Sequence, residues 1–483
     1  MMDENFDDYN NENINELVDK FEERLKFNQS FFFDVEEYEM LIDYYVENDN
    51  LSQTNFILKH AISQHPNSVS ILLKKAQVYV YADKPNKALE LLTQLEKIEP
   101  DNSDVFFVKG NIYSQLQRSE KAIEEYHKAI AKSEAIDEVY LNIAFEYEHL
   151  NNFLKSIEYF KKALEIDTEN DVILFELSYC YEQSGLLEEG VGYITEYIDK
   201  FPYSKIAWTV LGNIYSAGNN VEKAVEAFDF AIAIDEADSG PYYHKASVYY
   251  TNSEYQKAID VYKEILDLKL EYFMATPYFY IGECYEKLEE YETAIEFYTE
   301  SIKIDENNPD AWIGRGICFY ELKKILQGIN DVKKGISLGD LESISDYKLI
   351  LAEMLFKENM EGALELYQEV TMEAPENSDA WLDYSDALRD RGKLNEAIDV
   401  LMHATITYPD KLEFIYRLAA LFLINKQVKD AFDTLLTAID LDKSKSYISE
   451  FYGYIDELEL DEYFIEVLSQ FKSDIDKQIN NQE

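Results

Sequence analysis

Residues 207–240 read AWTVLGNIYSAGNNVEKAVEAFDFAIAIDEADSG, and this stretch decides the fold because its pattern recurs along the chain. Ala224 is the anchor. A small residue stands at the same place in Thr54, Ala88, Ala122, Ser156, Gly190, Ala224, Ala258, Ala294, Gly328, Ala363, Ala397 and Ala431, at steps of 34 residues interrupted once by 36 and once by 35. An ordinary globular core has no reason to keep such a period, so the chain is a repeat protein.

The other places in the period carry physical meaning. A second small residue lies twelve before the anchor (Gly110, Gly212, Gly282), an aromatic nine before it (Tyr147, Tyr215, Tyr285) and a bulky residue sixteen before it (Trp208, Trp312, Trp381). Four after the anchor comes another bulky residue (Tyr126, Phe228, Tyr298), and seven after it often an alanine. Spacings of three, four and seven place these residues on one stripe of each of two helices. Small residues let a partner backbone approach and aromatics fill the gaps between pairs. A helix pair this short cannot bury its stripe alone, so each must stack on its neighbours.

Pro66, Pro100, Pro202, Pro375 and Pro409 all stand twelve after their anchors, where the second helix must stop. The whole pattern resembles the tetratricopeptide repeat, over twelve units from about residue 35 to residue 443. The resemblance implies an all-α fold, a right-handed α-solenoid superhelix of twelve to thirteen helix pairs with a concave groove lined by first helices. It also implies binding of peptides or proteins. The unit anchored at Ala363 departs from the pattern, with Lys348 where a bulky residue belongs and Met354 where the tyrosine belongs.

Three segments follow. Residues 1–34 are expected to form an acidic disordered tail, Met1 to Asn13, and a capping helix whose apolar stripe is Ile14, Leu17, Val18, Phe21 and Leu25. Residues 35–443 hold the repeats. Residues 444–483 read as an eroded thirteenth repeat and cap, with Gly453 and Ile465 in phase and an acidic outer face. The step of 36 places two extra residues near Lys269 to Pro277, and the step of 35 marks a thinning between Gly339 and Ala363.

The chain has 96 acidic and 44 basic side chains, a formal net charge of −52, and the first fifty residues hold 16 acids against 3 bases. Such a surface repels phosphate, which disfavours nucleic acid and anionic membranes and favours basic partners. No apolar run approaches the roughly 20 residues that cross a bilayer. The acidic N-terminus lacks the features of a signal peptide, so a cytoplasmic location is expected. Cys180, Cys284 and Cys318 share one place, ten before the anchor, where Val78, Ile112, Ile214 and Val248 stand in other units. Cysteine there reads as a small buried hydrophobe.

No phosphate loop, glycine fingerprint, metal helix or nucleophile elbow occurs, and the six histidines share no spacing. Neither enzymatic activity nor a cofactor or metal is expected. In the resembled fold, ligand-facing residues stand about fifteen, eleven and eight before each anchor. Those places hold Phe107, Asn111, Phe145, Glu148, Phe175, Tyr179, Glu182, Tyr243, Tyr250, Phe279, Glu283 and Glu286. Aromatics beside acids suit a protein or peptide segment with basic or apolar side chains. A clamp for a C-terminal carboxylate is disfavoured, because its places hold Glu39, Asp43, Leu73, Gln77, Glu138 and Asn142 in the first units. The expected function is a non-catalytic scaffold or adaptor with an acidic, aromatic-lined groove. The alternatives are a structural self-associating solenoid and a regulatory subunit of a separate enzyme.

Overall fold

A computed structural model describes residues 3–27, 32–130, 135–268, 275–340 and 343–442. Its contacts divide the chain into two units, Met1–Val248 and Tyr249–Glu483. All regular structure among the described residues is helical. The first unit contains α1 (Asp3–Lys26), α2 (Val35–Glu47), α3 (Leu51–Gln64), α4 (Val69–Tyr81), α5 (Pro85–Ile98), α6 (Ser103–Gln115), α7 (Ser119–Ile130), α8 (Ile136–His149), α9 (Phe153–Ile166), α10 (Asp171–Ser184), α11 (Leu187–Lys200), α12 (Lys205–Ala217) and α13 (Val221–Ile234). The division falls within α14 (Gly240–Thr251). The second unit continues with α15 (Tyr255–Asp267), α16 (Ala275–Lys287), α17 (Tyr291–Ile304), α18 (Pro309–Glu321), α19 (Ile325–Leu338), α20 (Ile344–Lys357), α21 (Ala363–Glu373), α22 (Ser378–Asp390), α23 (Leu394–Thr407), α24 (Leu412–Ile424) and α25 (Val428–Leu441).

From α2 onward, even-numbered helices are the first of a pair and odd-numbered helices the second. Helix α1 caps the first pair, packing Leu17, Val18 and Phe21 on Phe33, Tyr38 and Leu41. It starts at Asp3, so the tail expected through Asn13 is helical from Asp3; no proline or glycine stands in that stretch to stop it. The expected thirteenth repeat lies outside the described residues.

The anchors are buried where the period puts them: Ala88, Ala122, Ala224, Ala258 and Ala294 are fully inaccessible. Large and small residues interlock as pairs within a repeat. A Cβ built on Gly110 would stand 2.3 Å from the Tyr126 ring, one on Gly212 2.4 Å from Phe228, and one on Gly282 2.9 Å from Tyr298. Glycine is therefore required by close approach at these places, not by backbone conformation. The three tryptophans of the bulky place each donate an indole N–H to a carbonyl six residues upstream, Trp208 to Pro202, Trp312 to Glu306 and Trp381 to Pro375. The linker between repeats is thereby fastened to the next first helix.

Every turn inside a pair contains a left-handed residue, Asp49, Asp83, Gln117, Asn151, Gly185, Asn219, Ser253, Glu289, Lys323, Asn359, Gly392 or Lys426, and the α20–α21 turn holds a second, Gly362. Eleven of these stand five residues before their anchors. Asn359 stands four before Ala363, and five residues, 358–362, separate α20 from α21 where the other pairs have two or three. The α21 helix consequently begins at Ala363 itself, after Gly362 at φ 92°, and is short. Sixteen before Ala363 stands Tyr347, which is buried; Lys348 takes the bulky place only when counted from the turn, and Leu355, not Met354, then takes the aromatic one. Lys348 replaces the aromatic contact with ion pairs to Glu369 and Glu373 of α21, both at 2.6 Å. The extra residues of the step of 36 fall between α15 and α16, largely outside the described residues.

Candidate functional site

The residues expected to face a ligand lie in both units, and each group stands on its own. In the first unit, α8 and α10 carry most of them. Phe175 and Tyr179 are 38% and 44% exposed, well above what packing between repeats requires. Tyr179 leans edge-on against Phe153 with centroids 6.0 Å apart, and Phe145 meets the buried Phe160 at 5.3 Å. Half-buried Glu148 and Glu176 accompany them, and Glu182 is exposed. Burial, then the charge of Glu176, pushes the Glu148 carboxyl above the usual carboxylate range, and burial does the same to Glu176. The thiol of Cys180 lies 4.0 Å from Glu148 Oε2. Among the described residues no lysine or arginine pairs with Glu148, Glu176 or Glu182.

Phe107 and Asn111 belong to α6 and serve Tyr126. Phe107 packs on that ring at 5.8 Å, while the Tyr126 hydroxyl donates to Asn111 Oδ1 at 2.7 Å. Tyr243 on α14 is half-buried.

In the second unit the expected residues are tied inward. The Tyr250 hydroxyl donates to Glu283 Oε1 at 3.0 Å. The Tyr298 hydroxyl donates to Glu286 Oε2 at 2.7 Å, and the Cys318 thiol approaches the same oxygen at 3.9 Å. Burial raises the Glu286 carboxyl above its usual range, against the lowering effect of the Tyr298 hydrogen bond. Phe279 packs on Tyr280 and Tyr298. Glu286 was expected to face outward; its partners instead place it in the packing between α16, α17 and α18. The spacing identifies the helix face, and Tyr298, reaching from the next helix, decides the depth.

A further feature of the first unit lies N-terminal to the expected range. A cavity of about 480 Å³ opens over first helices α2, α4 and α6, floored by Ile42, Val78 and Ile112. Asn111 alone of the expected residues lines it. The signal was present in the sequence, because Asp43, Gln77 and Asn111 share the place eleven before their anchors.

The cysteines are fully buried free thiols, and burial pushes Cys180 up to about 11 and Cys284 up to about 12. Among the described residues no group of histidine, cysteine and carboxylate side chains has metal-ligand geometry, and no helix is long and apolar enough to cross a membrane.

Comparison with known proteins agrees with this architecture. Family models described as tetratricopeptide repeat match residues 73–135, 137–170, 209–269, 275–308 and 357–421, more than half of the chain. No curated protein matches it. Among solved structures, the crystal structure of the APC/C hetero-tetramer Cut9-Hcn1 is similar at 15% identity and a TM-score of 0.34, covering 87% of this chain and 89% of that one. With its period, its paired helices and the family-model matches over more than half of its length, the chain belongs to the tetratricopeptide-repeat family.

Proposed function

We propose that this repeat protein is a non-catalytic scaffold or adaptor that holds a basic segment of a partner protein on the α8–α10 face of its first unit. The observation that carries this reading is the crowding of half-buried Glu148 and Glu176, the charge of Glu176 adding to the burial that raises Glu148, with no lysine or arginine paired to either among the described residues, beside exposed Phe175 and Tyr179. A lysine or arginine placed there relieves the repulsion and gains cation–π contact with the rings. The net charge of −52 adds long-range attraction that speeds association. A cytoplasmic location fits the same reading.

The test is titration of the full chain with a fluorescein-labelled Lys/Arg-rich peptide and with its Glu-substituted counterpart. The basic peptide is expected to bind, to weaken with added salt because exposed charges are screened over roughly 8 Å, and to weaken again in the Glu148→Gln/Glu176→Gln protein. Equal binding of both peptides, or indifference to the double substitution, would remove this face from consideration.

A further inference from the structure

We propose that the edge of the first unit where α5, α7 and α9 begin is a docking site for a phosphorylated segment of a partner protein, with the phosphoryl group seated at the start of α7. The site is built from turns and helix starts rather than from the flanks of first helices, and it is separate from the Glu148–Glu176 face.

Three consecutive turns reverse the charge balance of an otherwise acidic chain. Residues 83–87 hold Lys84 and Lys87 against Asp83, residues 117–121 hold Arg118 and Lys121 against Glu120, and residues 151–155 hold Lys155 with no acid. The corresponding residues on either side, 49–53 and 185–189, hold acids and no base. Among the described residues none of these five cations makes an ion pair. Lys121 and Lys155 lie instead over the rings of Tyr113 and Tyr147, 5.7 and 4.8 Å from the centroids, so each ammonium is held in place without being neutralised. Arg315, Arg389 and Arg417 each bind a carboxylate, whereas Arg118 binds none. With 96 acids in the chain, a row of cations left unpaired is kept for an anion from outside.

A cavity of about 650 Å³ opens on this edge between the α6–α7 turn, the first turn of α7 and the end of α8. Arg118, Lys121 and His149 line it, and Glu120 is its one acidic lining residue. The Arg118 carbonyl accepts the N–H groups of Lys121 and Ala122, which leaves those of Ser119 and Glu120 without an acceptor among the described residues. Asn50, Asn152 and Asn220 stand at the equivalent of Arg118 and accept an N–H of their second helix, a service that a guanidinium cannot perform. Ser119 decides the occupant. It is only 9% exposed, it lines the cavity, and its hydroxyl has no hydrogen-bond partner among the described residues. A hydroxyl buried so far is unfavourable until an occupant bonds it. Two backbone N–H groups, a hydroxyl, a guanidinium and an ammonium therefore surround one cavity at the positive end of a helix. A phosphoryl group, with three strong acceptor oxygens and close to two negative charges, matches that set better than a carboxylate does.

The net charge of −52 does not oppose this seat, because exposed charges are screened over roughly 8 Å and the immediate groups dominate. Glu146, whose Oε2 lies 3.8 Å from His149 Nδ1, is 2% exposed and takes no part in the lining. Neighbouring second helices carry Lys87 and Lys155 about one helix-packing distance away, roughly 8–10 Å. At about 3.4 Å per residue of extended chain, they favour acidic residues about three places to either side of the phosphorylated one.

The experiment passes the full chain over immobilised nonapeptides with a central phosphoserine, aspartate three places to either side and random residues elsewhere, and over the same libraries with central serine and central glutamate. The phosphoserine library is expected to retain the native chain, the glutamate library to retain it less and the serine library not at all. Affinity for the phosphoserine library is expected to fall about tenfold or more in Arg118→Glu/Lys121→Glu, the scale of a lost charge-assisted contact. Lys323→Glu/Lys324→Glu, which reverses the two lysines of another turn, is expected to bind as the native chain does. Arg118 and Lys121 are both exposed, and circular dichroism checks the fold. If that variant is unfolded, Arg118→Gln/Ser119→Ala carries the test, with a several-fold loss expected. The proposal is overturned if the folded variant binds as tightly as the native chain, if the Lys323/Lys324 variant loses as much, or if the serine or glutamate library is retained as strongly as the phosphoserine one.

Discussion

The hydroxyl of Tyr298 donates to Glu286 Oε2 across 2.7 Å, joining the second helix of one repeat to the last turn of its first helix. Tyr298 is 1% exposed, and its ring fills the space left by Gly282 and Gly314. Aromatic, glycine and carboxylate therefore form one packing device, spread over places in the period that look independent.

A pH dependence follows from this pair. Burial raises the folded-state value of Glu286, so the folded chain holds a proton that the unfolded chain has released. Stability contributed at this site therefore falls as pH rises from the ordinary carboxyl value through the raised folded value, and is level above it. Glu286→Gln keeps an acceptor for Tyr298 and removes the titration. The difference in urea midpoint between the native chain and Glu286→Gln is expected to move in favour of the variant across that window and then stay constant. A pH-independent difference would contradict the burial of this carboxylate. Tyr298→Phe is expected to cost about 0.5–1.5 kcal/mol, the net worth of one hydrogen bond.

A substitution at the small place tests the interlock directly. Gly212→Ala puts a methyl 2.4 Å from the Phe228 ring, and Phe228 is fully buried against His244 at a centroid distance of 5.6 Å. Alanine favours a helix over glycine by about 1 kcal/mol, yet overpacking costs about 1–3 kcal/mol. The variant is expected to be the less stable protein by thermal denaturation. A rise in melting temperature would mean that the ring has room to yield.

How far the sequence speaks is clear from particular residues. The anchors from Ala88 to Ala431 and the aromatic and small places were legible because burial demands one kind of side chain at each, and the demand repeats. The turns were not legible. Their left-handed place is filled by Asp, Gln, Asn, Gly, Ser, Glu and Lys in different repeats, so no residue type marks it. The altered turn before Ala363 therefore stays hidden, and the aromatic place is assigned to Met354 instead of Leu355. Depth was not legible either. Glu182 and Glu286 share a place in the period, but only Glu286 has a tyrosine four after the anchor to draw it inward; the equivalent residue of the Glu182 repeat is Ile194.

The altered turn gives a local prediction. Helix α21 starts at Ala363, after Gly362 at φ 92°, and lacks the helical turn that precedes the other anchors. Its neighbour α19 packs so closely on α18 that a Cβ on Gly328 would stand 2.6 Å from the Gly316 carbonyl oxygen. In a solenoid whose stability sums unit and interface terms, opening concentrates at the weak unit. Amides of α21 are expected to exchange with deuterium faster than those of α19. Equal protection of the two helices would show that the Lys348 ion pairs fully replace the missing contacts.

The contrast between Glu182 and Glu286 separates binding from folding. Glu182 is exposed, has no ion-pair partner among the described residues and stands one turn beyond Tyr179 on α10. Reversing its charge removes attraction for a basic segment without disturbing any described hydrogen bond, so Glu182→Lys is expected to weaken binding of a Lys/Arg-rich peptide and flatten its salt dependence while the melting temperature holds. Glu286→Lys is different. It strips the acceptor from a buried tyrosine, at a cost of about 1–3 kcal/mol for the unsatisfied group, and forces a cation into the packing between α16 and α18. That variant is expected to melt earlier and, since it lies in the second unit, to bind the peptide as the native chain does. If Glu182→Lys leaves binding and its salt dependence untouched, the α8–α10 face is not where the basic segment docks. If Glu286→Lys abolishes binding while the protein remains folded, the second unit holds the partner instead.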